Sequence, residues 1–209
     1  FPFPHYAEGT GGRYATMQCL SVKDPDRDWV NWSNYRCMVL TRSKITVAMT
    51  PGQQTSNIFY FKYEPRNIPM PMLMIEGGDP TVFIASALGI PPGVSEVDVA
   101  GGMRGAPLEL VKSETQPLYT VSDAEWTIEG IVKPRERADE GPFGEFVAYI
   151  HGPRRPMPVM RVTAITHRDA PITYGCNAGM RLNQDMTAAS SLIAAGIYAH
   201  MKYDKGWPV

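Results

Sequence analysis

Short apolar and β-branched runs, broken by Gly, Pro and Asp, recur along most of the chain and predict strands rather than long helices. Residues 13–22 form such a run, ending at the turn former Asp24-Pro25-Asp26. Residues 35–40 and 44–49 are two β-prone runs separated by Thr41-Arg42-Ser43, the pattern of a hairpin. Residues 71–75 predict another strand, followed by Gly77-Gly78-Asp79-Pro80 and a short helix over 81–88 with Pro80 in its first turn. Further strands are predicted over 108–111, 126–132, 146–150 and 159–166. The pattern changes over 182–203, where Leu192, Ile193, Gly196, Ile197 and His200 follow helical spacing among many alanines. Many strands, one small helix and a terminal helix predict an α+β domain built on a β-barrel. The apolar face of the terminal helix should need a partner.

Composition narrows the function classes. The chain has 209 residues, enough for one domain with an appendage, and 44% of them are hydrophobic. Gly and Pro occur 19 times each, which favours turns and short segments over a helical bundle. A net charge of −1 with no basic or acidic block argues against a nucleic-acid partner. There is no apolar run long enough to span a bilayer. Cys19, Cys37 and Cys176 are sparse and lack CxxC spacing, which fits a reducing, cytoplasmic setting and not a zinc ribbon. The chain opens on Phe1 and stops soon after the helical stretch, so it is expected to be part of a longer protein.

Four motifs could carry chemistry. Glu140-Gly141-Pro142-Phe143-Gly144-Glu145 sets two carboxylates around a bend that glycine makes possible. Brought into one cavity, such a pair divides into an acid and an ion-pairing carboxylate. Two solvated loop glutamates are the commoner occurrence. Asn31-Trp32-Ser33-Asn34-Tyr35-Arg36 offers an amide oxygen for a hard cation and a planar guanidinium for a carboxylate; alternatively it is a polar strand entry. Gln53-Gln54 could bind phosphate, metal or a flavin edge, or be solvated loop residues. Glu96, after Ile90-Pro91-Pro92-Gly93, could complete a sparse Mg²⁺- or Mn²⁺-type site with an Asn oxygen, or simply begin a strand.

Other candidates fall away. His5, His151, His167 and His200 lack zinc-ligand spacing. Gly101-Gly102-Met103-Arg104-Gly105 lacks the strand-turn-helix context of a dinucleotide loop. Met70, Met72 and Met74 alternate as core filling would require.

Taken in order, these motifs resemble the UbiD family. The matching pieces are Glu8 with Gly11-Gly12-Arg13-Tyr14, Asp24-Pro25-Asp26, Asn31-Trp32-Ser33 with Arg36, Gly93-Val94-Ser95-Glu96 followed by Gly101, Leu108-Glu109-Leu110-Val111-Lys112 with Glu114-Thr115, Ala124-Glu125 with Glu129-Gly130, and Glu140 through Glu145. The resemblance implies a split β-barrel of the flavin-reductase-like type over 1–180, with 181–209 a linker helix toward a C-terminal domain. It implies prenylated FMN made by a separate prenyltransferase, a divalent Mn²⁺ or Mg²⁺, and potassium (K⁺).

Carried over residue by residue, Asn31 and Glu96 would hold the divalent metal. Gln54 stands where relatives often place a histidine. Asn31, Trp32, Ser33, Asn34, Tyr35, Arg36, Gln53, Gln54 and Glu96 would line the cofactor. Trp32, Ala85, Ser86, Leu88 and Glu96 would surround potassium. Arg36, Glu140 and Glu145 would be the catalytic set, with Glu145 delivering the proton that replaces CO₂. The implied activity is reversible decarboxylation of an aromatic or α,β-unsaturated acid in a homo-oligomer or larger complex. The alternative is a split-barrel flavin module without catalysis.

Overall fold

The fold is seen in a computed structural model, which describes residues 3–6, 8–144, 150–175 and 184–208; of residues 150–151, 184–186 and 188–189 only the backbone is described. In chain order the elements are β1 (Tyr14–Ala15), β2 (Cys19–Lys23), β3 (Val30–Ser33), β4 (Cys37–Thr41), β5 (Lys44–Val47) and α1 (Gln54–Ile58), which runs into a π-helical turn over Phe59–Tyr63. There follow β6 (Met70–Glu76), α2 (Pro80–Ala87), α3 (Glu96–Arg104), β7 (Leu110–Lys112), β8 (Tyr119–Val121) and β9 (Trp126–Glu140). The last are β10 (Phe143–Gly144), β11 (Ile150–His151), β12 (Arg155–His167) and α4 (Gln184–Ala199), ending in a π-helical turn over His200–Asp204.

Eight strands form one antiparallel sheet in the order β1-β4-β5-β12-β9-β6-β2-β3. The sheet must curl, because β3 and β4 stand six places apart in it yet are joined only by residues 34–36. Six spacings of a flat sheet would span about 29 Å. Four Cα steps reach about 15 Å at most. Side chains close the same seam: Asn34 Nδ2 donates to the carbonyls of Thr16 (3.0 Å) and Gln18 (2.6 Å), and Gln18 Nε2 donates to Tyr35 O. Among the described residues β1 and β3 are edge strands with no ladder between them, so the expected barrel is seen as a curled sheet without backbone closure.

The long strands β9 and β12 supply the bend. Their pairing shifts register between Pro158 and Met160 and again between Val162 and Ala164, and such bulges bend and twist a ladder. A Cβ on Gly130 would stand 2.4 Å from the Arg161 carbonyl oxygen, so β9 approaches β12 there only as glycine.

Alternation on β6 explains the two core clusters. Met70, Met72 and Met74 face inward with Leu20, Val22, Ile45, Val47, Ile128 and Met160. Leu73 and Ile75 face the other way, against Val82 and Ala85 of α2 and Ala100 of α3. Both faces of this strand are therefore apolar, and each buried side chain contributes about 1.5–3 kcal/mol of transfer free energy.

The hairpin of β4 and β5 forms as its sequence predicts, pairing Cys37 with Val47 and Met38 with Thr46. At the start of α2, Asp79 accepts the Thr81 N–H at 2.9 Å and Pro80 occupies the first turn. The expectation of one internal helix needs correction, because α1 and α3 are helical too. Glu96, for which the start of a strand is the alternative reading, opens α3, and the glycine-rich Gly101–Gly105 run closes it. Two interior glycines cost about 1 kcal/mol each against alanine, but Ala100 is fully buried against its neighbours, and Gly105 ends the helix at φ 74°. The strand expected over 146–150 lies mostly outside the described residues. The helix α4 forms, with Ile193 56% and Ile197 55% exposed among the described residues.

Candidate active site

The seam that curls the sheet also makes the cavity. Residues 31–35 run along β3 and out of it, and they line a cavity of about 310 Å³ together with Gly52, Gln53, Gln54, the end of α2 and Glu96. That volume lies at the lower end of pockets for organic ligands. Asn31, Trp32, Ser33, Asn34, Tyr35, Gln53, Gln54 and Glu96 are thus brought together, while Arg36 lies beyond that lining.

Two of the residues that line this cavity carry hard oxygen donors left without partners. Asn31 is 1% exposed, and its Nδ2 donates to Thr55 Oγ1 at 2.8 Å. The same Thr55 hydroxyl meets Ser33 Oγ at 2.7 Å. This leaves Asn31 Oδ1 buried with no hydrogen-bond partner. Gln54 repeats the arrangement: Nε2 donates to Ile90 O and Oε1 is buried without a partner. Glu96 Oε2 accepts the Trp32 N–H at 2.9 Å. Burial pushes the Glu96 carboxyl up from its usual range, and the Trp32 N–H opposes that shift. Buried polar atoms normally find partners, so the two orphaned amide oxygens and the buried Glu96 carboxylate are candidate donors for a cation. All-oxygen sets suit Mg²⁺ and Mn²⁺. Among the described residues no cluster of three His, Cys, Asp or Glu that could hold a metal exists.

The potassium candidates gather at the end of α2. Ser86 and Leu88 line the cavity with Trp32 and Glu96. The fully buried Ala85 has its carbonyl taken by the Leu88 N–H at 3.2 Å, and Ser86 Oγ donates to Phe83 O at 2.7 Å. A helix C-terminus carries partial negative charge, so this end of α2 and Glu96 both favour a cation.

Arg36 and Glu140 form a two-point ion pair. Arg36 Nε donates to Oε1 at 2.8 Å and Nη2 to Oε2 at 3.2 Å, with Glu140 fully buried at the end of β9. Tyr14 OH donates to the same Oε1 at 2.9 Å. The Phe143 ring lies 5.0 Å from the guanidinium carbon and 4.4 Å from the Tyr14 ring. Burial, then the Glu140 charge, pushes the Tyr14 phenol well above its usual range, so its proton stays on. Glu145, the other carboxylate of the motif, lies outside the described residues.

Sequence reasoning missed Thr55 and the role of Tyr14. Thr55 gave no signal in a run that looked like a loop. Tyr14 stood inside a matching motif, but its partner lies 126 residues away.

The family model described as "3-octaprenyl-4-hydroxybenzoate carboxy-lyase Rift-related domain", of UbiD, matches residues 1–181. The chain belongs to the UbiD family. Within it, the chain is 33% identical over 196 residues to the pyrrole-2-carboxylic acid decarboxylase of Pseudomonas aeruginosa, covering 93% of this chain and 39% of that protein. It is 31% identical to ferulic acid decarboxylase 1 of Saccharomyces cerevisiae, covering 92% and 39%. An evolved dimeric form of the UbiD-class enzyme HmfF from Pelotomaculum thermopropionicum, solved with prFMN, superposes with a TM-score of 0.88 at 31% identity, covering 97% of this chain and 46% of that one. The chain therefore spans about two fifths of the length of these curated relatives. Among the described residues no helix is long and apolar enough to cross a membrane.

Proposed function

We propose that this UbiD-family chain holds the flavin and cation site of a carboxy-lyase that removes or adds CO₂ at an sp² carbon of an aromatic or α,β-unsaturated acid. The carrying observation is that Asn31 and Gln54, each with a buried amide oxygen that has no hydrogen-bond partner, line one cavity with Glu96. These donors fit a Mn²⁺ or Mg²⁺ ion next to a flavin phosphate, and the end of α2 fits K⁺. Two relatives named for pyrrole-2-carboxylic and ferulic acid support the substrate class. The HmfF likeness supports prenylated FMN.

Prenylated FMN, when bound, supplies the electron sink that loss of CO₂ from an sp² carbon needs. The rest falls to the chain. Arg36 offers a planar fork of donors to an acid. Glu140 holds that fork in direction and charge. Glu145 is assigned the proton that replaces CO₂ at the substrate carbon, or its removal in the reverse direction. The guanidinium pair on Glu140 speaks for an enzyme over a non-catalytic flavin module, which has no use for it. We further assign the curled sheet, residues 1–180, to the split-barrel type, 181–209 to a linker helix, and the working form to a homo-oligomer or larger complex supplied by a separate flavin prenyltransferase.

The test is metal and flavin content of the full-length protein, wild type and Glu96→Gln, purified from cells making prenylated FMN. The wild type should hold about one divalent ion and one flavin per chain, since carboxylate charge dominates affinity for hard cations. The variant should lose most of both. Unchanged content in Glu96→Gln would refute the site.

A further inference from the structure

Tyr14 is fully buried on β1, paired across the ladder with Met38 of β4, the strand that follows Arg36. Its ring fills core space against Phe143, a task phenylalanine would perform equally well. A buried hydroxyl without a partner costs about 1–3 kcal/mol, so the phenol needs its own justification, and Glu140 provides it.

We propose that Tyr14 is a positioning residue for the carboxy-lyase reaction, fixing the Glu140 carboxylate so that Arg36 presents one guanidinium direction to the substrate acid; this rests on the function proposed above. The geometry is specific. A carboxylate held only by one arginine fork can rotate about its last torsion together with the fork. A second donor on Oε1, 2.9 Å away and coming from another strand, pins that rotation. Phe143 packs on both Tyr14 and the Arg36 guanidinium, so two aromatic rings flank the ion pair. Because the phenol keeps its proton far above neutrality, it remains a donor throughout any working pH.

The test is Tyr14→Phe in the full-length, flavin-loaded protein, alone and combined with Glu140→Gln, read by kcat, KM, thermal midpoint and crystal structure. Misplacement of a catalytic group by about 1 Å costs on the order of 100-fold, so loss of one of three restraints should lower kcat about 10-fold. KM and flavin content should stay within about twofold, the thermal midpoint should fall modestly because a hydrogen bond to a buried carboxylate is lost, and the variant structure should show the two-point Arg36–Glu140 geometry lost. In the Glu140→Gln background the same substitution should add nothing, because Tyr14 acts through Glu140. Equal losses in both backgrounds would overturn the proposal, as would an unchanged kcat or an unaltered ion pair. A lowered thermal midpoint with kcat intact would make Tyr14 merely structural. Should the wild type release no CO₂ from any such acid, the function proposed above fails, while the variant structure still decides whether Tyr14 sets the ion pair.

Discussion

A Cβ on Gly11 would stand 1.9 Å from the carbonyl oxygen of Gly141, and the Gly11 N–H donates to Pro142 O at 2.7 Å. The N-terminal segment thus clamps the bend that follows Glu140, and it does so backbone to backbone. Neither side can yield by a rotamer change. Gly11→Ala should therefore destabilise the protein by about 1–3 kcal/mol and loosen Phe143 from Arg36. Denaturant unfolding beside flavin titration measures both effects.

In the cation site proposed above, Gln54 would supply an amide oxygen. Gln54→His should move the site toward borderline metals, because imidazole suits Zn²⁺ and Ni²⁺ whereas amide and carboxylate oxygens suit Mg²⁺ and Mn²⁺. Metal analysis after dialysis against equal Mn²⁺ and Zn²⁺ should show the zinc share rise in the variant. An unchanged ratio would mean Gln54 is not a ligand.

The Arg36–Glu140 pair relies on a planar fork. Arg36→Lys keeps the charge but supplies a single point donor. It should lower kcat about 100-fold by misplacing the acid, with flavin content retained. Steady-state rates with the same acid in both proteins check this.

Glu76 offers a pH signature apart from the site. Burial pushes its carboxyl from the ordinary 4.5 up to about 7, opposed by the Tyr174 N–H that its Oε1 accepts at 3.0 Å. Between those values the folded protein holds more protons than the unfolded chain, so stability falls as pH rises through this window. The contribution is fully present below about 4.5 and is lost above about 7. It amounts to on the order of 3 kcal/mol. Glu76→Gln keeps a carbonyl for Tyr174 and removes the titration. Thermal midpoints from pH 4.5 to 8 should decline less in the variant, which should be the more stable protein at pH 8.

Strands were legible where apolar runs met turn residues, as at β4, β5 and β6. The helices α1 and α3 were not. The first begins with Gln54-Thr55-Ser56-Asn57, of modest helix propensity, and is held by burial of Thr55, Ser56 and Ile58. The second carries Gly101 and Gly102, and tertiary packing outweighs their propensity. Candidate site residues could be proposed through ordered motifs, but their geometry could not. Nothing local tells that Asn31 gives its Nδ2 to Thr55 and keeps its oxygen free. Nor does anything local place Tyr14 on Glu140, since that contact exists only after the sheet curls.

The most direct test of the central claim is CO₂ release by the full-length protein from pyrrole-2-carboxylate and from ferulate. The protein should be purified from cells with and without a co-expressed flavin prenyltransferase. Release should occur with at least one of these acids and only in the protein from prenyltransferase-containing cells. Equal release from both preparations, or none from either, would contradict a prenylated-FMN carboxy-lyase acting on aromatic or unsaturated acids.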